Sequence, residues 1–297
     1  MTQTTLEKVN QFVLRKQHLT DDSKSNNIAQ VVEDLIGLHA TGPTTPYLSL
    51  LARTRNFQKE FLEEELYIKR TLGKIRCMRK TVHILPKEMI PVAFSATRKS
   101  VELASEKYSQ YLGVSREEYE SIARQILKVL KGKAMDTSEI KQSLKTERNI
   151  SPIVNLMCDQ GLLIRGKPAK SWKSNIHSYH LFEDYFPSLN LNAIDEATAK
   201  ELLIRNYISS FGPVTANDVA WWSGFLKGEV KQILKRLEDQ ITQLEVSGLD
   251  KSFLMFDSDI CSLEASRSRD TVNLLPSLDP YLMGYKDRER YLDSEYY

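Results

Sequence analysis

The sequence predicts a mainly α-helical protein with small β-wings, arranged as three tandem winged-helix (helix-turn-helix) units. Three observations carry this reading. Amphipathic helical patterns fill most of the 297 residues. Short alternating strands come in pairs after the helices, as in I-R-C-M and T-V-H-I-L. One plan also recurs: a helix, a glycine, a capped helix, a longer helix, then strands.

The first unit, 1–112, opens with a helical pattern from Ser25 to Ala40, in which Ile28, Val31, Val32, Leu35, Ile36 and His39 share one face. Ser25 or Asn26 caps its start, Gly42 suits the position just past its end, and Pro43 forbids continuation. A second helix then starts at Thr45 and Pro46, and a third covers Glu60 to Leu72. The hairpin turns around Arg79 and Lys80. Pro86 and Pro91 punctuate the entry to a helix reaching Tyr111. The second unit, 113–190, carries D-T-S-E-I, a helix start with a carboxylate in its first turn. A helix beginning S-P-I-V-N follows, then a lysine-rich wing, K-P-A-K-S-W-K. The third, 191–297, repeats the plan with T-A-N-D-V-A, the helix E-V-K-Q-I-L-K-R and two strands flanking Gly248. L-G-V-S near Leu112 and N-L-N-A-I near Asn190 read as the boundaries.

Composition bounds the function. Hydrophobic residues make up 41% and charged residues 27%, with a net charge of +2, so any nucleic-acid binding rests on local clusters rather than on bulk charge. Cys77, Cys158 and Cys261 are odd in number, widely spaced and free of CxxC, which predicts reduced core thiols. No signal-peptide core or membrane-length apolar run occurs, so the expectation is a cytoplasmic monomer with no membrane contact. His177 and His180 sit three apart without a carboxylate or cysteine in register, and no phosphate-cradling glycine motif is present; no metal and no cofactor are expected.

Winged helices bind DNA through the third helix and the wing. The residues placed to meet phosphates are Arg79 and Lys80 at the first hairpin and Lys167, Lys170 and Lys173 on the second wing. Lys227, Lys231, Lys235 and Arg236 lie on the last long helix. Solvated surface is the competing reading for each lysine alone.

Three blocks go further: G-L-H-A-T-G-P-T-T-P-Y-L-S-L-L-A-R, C-M-R-K-T-V-H-I-L and L-L-P-S-L-D-P-Y-L-M-G-Y-K-D-R. With them the chain resembles the AlkZ/YcaQ-like alkylpurine DNA glycosylases, from about Leu14 to its end. The resemblance implies tandem winged helices, a double-stranded DNA partner, and monofunctional hydrolysis of the N-glycosidic bond of alkylated, N7-modified purines without a cofactor. It also implies a further strand-rich stretch after Tyr297. Two departures stand out. Active members carry Gln, a hydrophobic residue, then Gln or Asp where this chain has His39, Ala40 and Thr41. Their M-R-G-T-L-H block appears as M-R-K-T-V-H, with Lys80 in place of glycine.

The resemblance makes His39 and Thr41 the catalytic candidates, with His83 and Asp279 as secondary ones. An N7-alkylated purine already carries positive charge and leaves without being protonated. The enzyme must place a water at the anomeric carbon and help the cationic sugar. A neutral His39 is able to hold that water and accept its proton, with Thr41 as a second water ligand. The predicted helix C-terminus opposes this, because it favours the imidazolium. Asp279 is the nominee for stabilising the sugar cation. The competing readings are a buried structural histidine at 39, a helix-end cap at Thr41 and an Asx turn at Asp279 before Pro280. At the level of the whole chain, the alternatives are a non-catalytic DNA-binding regulator that lacks the glutamine motif, and a protein-interaction module.

Overall fold

The structure, a computed structural model, describes residues 2–267, 271–292 and 295. In chain order it begins with β1 (Thr2–Thr5), α1 (Leu6–Lys16), α2 (Ile28–Asp34), the two-residue strand β2 (Leu38–His39) and α3 (Thr45–Arg53). α4 (Lys59–Glu63) runs on through a π-turn to Ile68, and β3 (Leu72–Arg76) and β4 (Val82–Pro86) form a hairpin. α5 (Met89–Tyr111), α6 (Arg116–Val129), α7 (Thr137–Leu144), α8 (Ser151–Asp159), β5 (Leu163–Pro168), β6 (His177–Leu181) and α9 (Phe182–Tyr185) follow. The last elements are α10 (Glu196–Phe211), α11 (Ala216–Ser223), α12 (Lys227–Arg236), β7 (Ile241–Ser247), β8 (Ser252–Phe256), α13 (Ile260–Glu264) and α14 (Pro280–Met283). The chain is thus mainly helical with small sheets. It divides into two compact units: Met1–Leu38 with Tyr47–Gln58 and Glu201–Tyr297, and His39–Pro46 with Lys59–Lys200.

Local chemistry fixes several helix starts. Asp136 accepts from the backbone N–H groups of Ser138 and Glu139, while its own N–H donates to the Glu139 carboxylate at 2.7 Å, so two otherwise orphaned donors are satisfied reciprocally. Thr215 and Asp218 repeat the device at α11. The strands form three sheets, ordered β1-β7-β8, β2-β4-β3 and β5-β6. Isolated bridges add Met135 to Tyr179 of β6 and Val214 to Leu254 of β8.

In the unit holding Lys59–Lys200, Ile126, Leu130, Ile140, Ile153, Val154 and Met157 form a core from α6, α7 and α8, closed by Leu163, Tyr179 and Leu181 of the β5-β6 hairpin. The other unit is centred on aromatics. Tyr207 stacks on Trp222 at 4.6 Å and on Phe211 at 5.2 Å. Its hydroxyl donates to the Gly284 carbonyl at 2.6 Å, and the Tyr285 hydroxyl to the Phe211 carbonyl at 2.8 Å. Gly284 is required by this closeness, since a Cβ there would lie 2.5 Å from Phe211. The L-D-P-Y-L-M-G-Y block is therefore buried against α10.

Two expectations need correction. The helix predicted over Ser25–Ala40 stops at Asp34; its cap is Asn27, whose side chain accepts from the Gln30 N–H at 3.1 Å. The break comes from Ile36 and Gly37, with φ of 52° and 100°, not from Gly42 and Pro43. His39 consequently lies on strand β2, past the end of α2, and Thr41 lies in the bend between β2 and α3. Cys77 and Cys158 are buried thiols, but Cys261 is exposed. The closing Tyr296 and Tyr297, on which the expected continuation rested, lie outside the described residues.

His18 gives a pH test of the first unit. Its Nδ1 lies 2.6 Å from the Ser23 carbonyl oxygen and its Nε2 2.7 Å from the Asp34 carboxylate. Both neighbours only accept, so the protonated ring satisfies both. Burial lowers the pKa, but the bonds to Asp34 and Ser23 and the Asp34 charge outweigh it and the net shift is upward. A raised folded-state pKa stabilises fully below the unfolded value of about 6.5, and that contribution is lost as pH rises through the folded value. Urea midpoints measured at about pH 5.5 and about pH 8.5 should therefore drop more towards high pH for the parent than for His18→Gln. Parallel midpoints in the two proteins would contradict this.

Candidate functional site

His39 reaches its place because β2 is the edge strand beside β4. The Ala40 N–H donates to the Val82 carbonyl at 2.8 Å, which registers the strand. His83 lies on β4, opposite Ile75 of β3. The two histidine rings meet with centroids 4.2 Å apart and planes tilted by 45°. They are 6% and 4% exposed, which makes them a buried pair at one sheet edge.

The state of His83 follows from its surroundings. Its Nδ1 lies 3.1 Å from the Thr81 carbonyl oxygen, so Nδ1 carries the proton of the neutral ring and donates it. Burial holds the pKa well below the ordinary histidine value. The neighbouring His39 and then Arg79 act in the same direction, against the Thr81 carbonyl. His83 is therefore a neutral imidazole with its lone pair on Nε2.

Thr41 is exposed in the bend after β2. Arg79 and Lys80 form the tip of the β3-β4 hairpin, with φ of 52° and 60°. Side chains rarely adopt such a left-handed pair, and Lys80 occupies a conformation that glycine takes without steric cost. The turn is closed by Arg76, whose Nε donates to the Lys80 carbonyl at 2.8 Å. Both tip side chains are exposed, while partial burial lowers the Arg79 pKa. The sheet thus brings His39, His83 and Arg79 into one locality.

Lys167 is the penultimate residue of β5 and lies 3.7 Å from Glu63, while Lys170 and Lys173 are exposed between β5 and β6; Lys173 extends over the Trp172 ring at 5.4 Å. Lys231 and Lys235 are one turn apart on the exposed face of α12. Asp279 forms the Asx turn before Pro280 that its sequence offered. Its carboxylate is wholly buried and receives both terminal nitrogens of Arg53, at 2.7 and 2.8 Å. It also caps α14, accepting from the Tyr281 N–H at 2.9 Å. Sequence reading missed Arg53 as its partner, because no residue near Asp279 in the chain marks it. His177 and His180 sit on β6. Burial, then Lys74 and Arg165, push the His177 pKa down to about 4, and His180 packs edge-on to Tyr185 at 4.9 Å. Among the described residues no group of three or more His, Cys, Asp or Glu side chains is placed to hold a metal ion.

The family model for AlkZ-like DNA glycosylases matches residues 32–297. The chain belongs to the AlkZ-like DNA glycosylase family. The DNA glycosylase AlkZ of Streptomyces sahachiroi shares its fold, with a TM-score of 0.80 at 19% identity over 99% of this chain and 81% of that one. No curated protein matches the sequence. The family supports a DNA glycosylase of the AlkZ type with DNA as substrate, and it does not favour the reading as a non-catalytic regulator. No helix among the described residues is long and apolar enough to cross a membrane.

Proposed function

We propose that the protein is a cytoplasmic, monomeric glycosylase that hydrolyses the N-glycosidic bond of N7-alkylated purines in double-stranded DNA, with His39 and Thr41 holding the attacking water. One observation carries this reading. The position at which the family places its water-holding glutamine is occupied by a histidine in ring contact with a second, neutral histidine. A neutral site is what the chemistry needs. The alkylated base leaves as a neutral purine, and the sugar passes through a cation that an imidazolium would repel. Thr41, exposed beside the pair, supplies a hydroxyl to the same water.

We read the chain as three winged-helix units, 1–112, 113–190 and 191–297. Strand order supports this. In each, a short strand or bridge before the second helix pairs with the second strand of the following hairpin: β2 with β4, Met135 with β6, Val214 with β8. The DNA-facing cations are Arg79, Lys80, Lys167, Lys170, Lys173, Lys231 and Lys235.

The direct test is abasic-site formation by the purified protein on a duplex carrying N7-methylguanine. Sites should form well above the spontaneous background, and a background rate would overturn the reading. Binding gives a second test. Duplex affinity should fall steeply as salt rises, because phosphate contacts release counterions. Reversing Lys167, Lys170 and Lys173 together to Glu should weaken binding and flatten that dependence with melting unchanged. An unaltered salt slope would remove the wing from the interface.

A further inference from the structure

We infer that His83 is the proton acceptor of the reaction and that His39 holds the water beside it. This assignment rests on the hydrolysis proposed above and places its proton transfer on a named atom. The C1′–N9 bond breaks with its electron pair moving into the alkylated purine, which leaves uncharged. A bond forms between C1′ and the water oxygen. The water's proton passes to Nε2 of His83, leaving an abasic sugar and an imidazolium that later returns the proton to solvent.

Three features support His83 over its neighbour. Its Nδ1–H is committed to the Thr81 carbonyl at 3.1 Å, so the ring is held in one orientation and one tautomer with the lone pair on Nε2. Burial, then His39 on β2 and Arg79 at the hairpin tip, oppose its protonation, and the Thr81 carbonyl favours it. His39, by contrast, stands where family members have a glutamine, whose amide holds water but takes no proton. The ring centroids lie 4.2 Å apart with the planes tilted by 45°. An in-plane N–H···N bond between two imidazoles would put the centroids about 5 Å apart. The tilted rings are not arranged as an in-plane bonded pair, and charge on one disfavours charge on the other. Weak basicity is no obstacle, because water bonding to a sugar cation becomes strongly acidic as the bond forms.

The test is single-turnover excision against pH on an N7-methylguanine duplex, with DNA affinity and melting measured alongside. Parent excision should fall on acidification with a midpoint below the ordinary histidine value. His39→Gln should keep that acid limb, moved to higher pH because the neighbouring imidazole is gone. His83→Gln should lose the limb and slow by on the order of 100-fold with affinity retained. A flat profile in His39→Gln, or an intact limb in folded His83→Gln, would overturn the assignment. If His83→Gln does not fold, the His39→Gln profile alone decides it. A parent that excises nothing would instead sink the glycosylase reading, and this assignment with it.

Discussion

Asp279→Ala should destabilise the protein by about 3–5 kcal/mol, the largest stability effect of any single change considered, because it strands a buried guanidinium. Arg53 and Asp279 are both fully buried and joined by two short bonds. Two more Arg53 donors, on Nε and Nη1, are placed on the Gln17 and Ser49 carbonyls at 2.9 Å. Removing the carboxylate leaves the positive charge with carbonyl oxygens only, in a site sealed from water. It also removes the cap of α14, worth about 1 kcal/mol in typical cases. Arg53→Met combined with Asp279→Leu should lose less than either charge deletion alone, since no unpaired ion remains. Urea unfolding of the parent, the two single variants and the double variant checks this. Near-parental stability of Asp279→Ala would mean that the pair is not a structural clamp and would return Asp279 to the list of catalytic candidates.

That pair also illustrates what the sequence conveyed and what it did not. The capping boxes at Asp136 and Thr215 and the β3-β4 hairpin were legible because each is set by residues a few positions apart. The partner of Asp279 was not, because Arg53 lies far away in the chain and nothing local marks it. His39 was assigned to a helix for a physical reason. Ile28, Val32, Leu35, Ile36 and His39 keep helical spacing, and a strand of two residues is too short to show alternation. Gly37 was the available stop signal, but the stronger Gly42–Pro43 signal masked it. The contact between His39 and His83 followed from strand pairing across β2 and β4, which periodicity does not reveal. The last block of the resemblance proved to be core architecture: Tyr281 and Tyr285 are buried and Gly284 is packed on Phe211.

The second large effect concerns activity. On the proposed reading, in which the side chain places the water and the lysines supply the binding, His39→Ala should slow excision by on the order of 100-fold while leaving DNA affinity almost intact. The ring lost by this change is buried and its contact with His83 goes with it, so melting must accompany the kinetics. Thr41→Ala should cost less, since an exposed hydroxyl ligand is replaceable by a second water. His39→Gln restores the amide found in the family and retains a group able to hold water.

Single-turnover excision of N7-methylguanine by the parent, His39→Ala and His39→Gln tests the account most directly. The account predicts a large loss for alanine and retention of most of the rate for glutamine, with duplex affinity the same in all three. Equal rates for the parent and His39→Ala would contradict it and make the histidine pair a packing feature of the sheet edge.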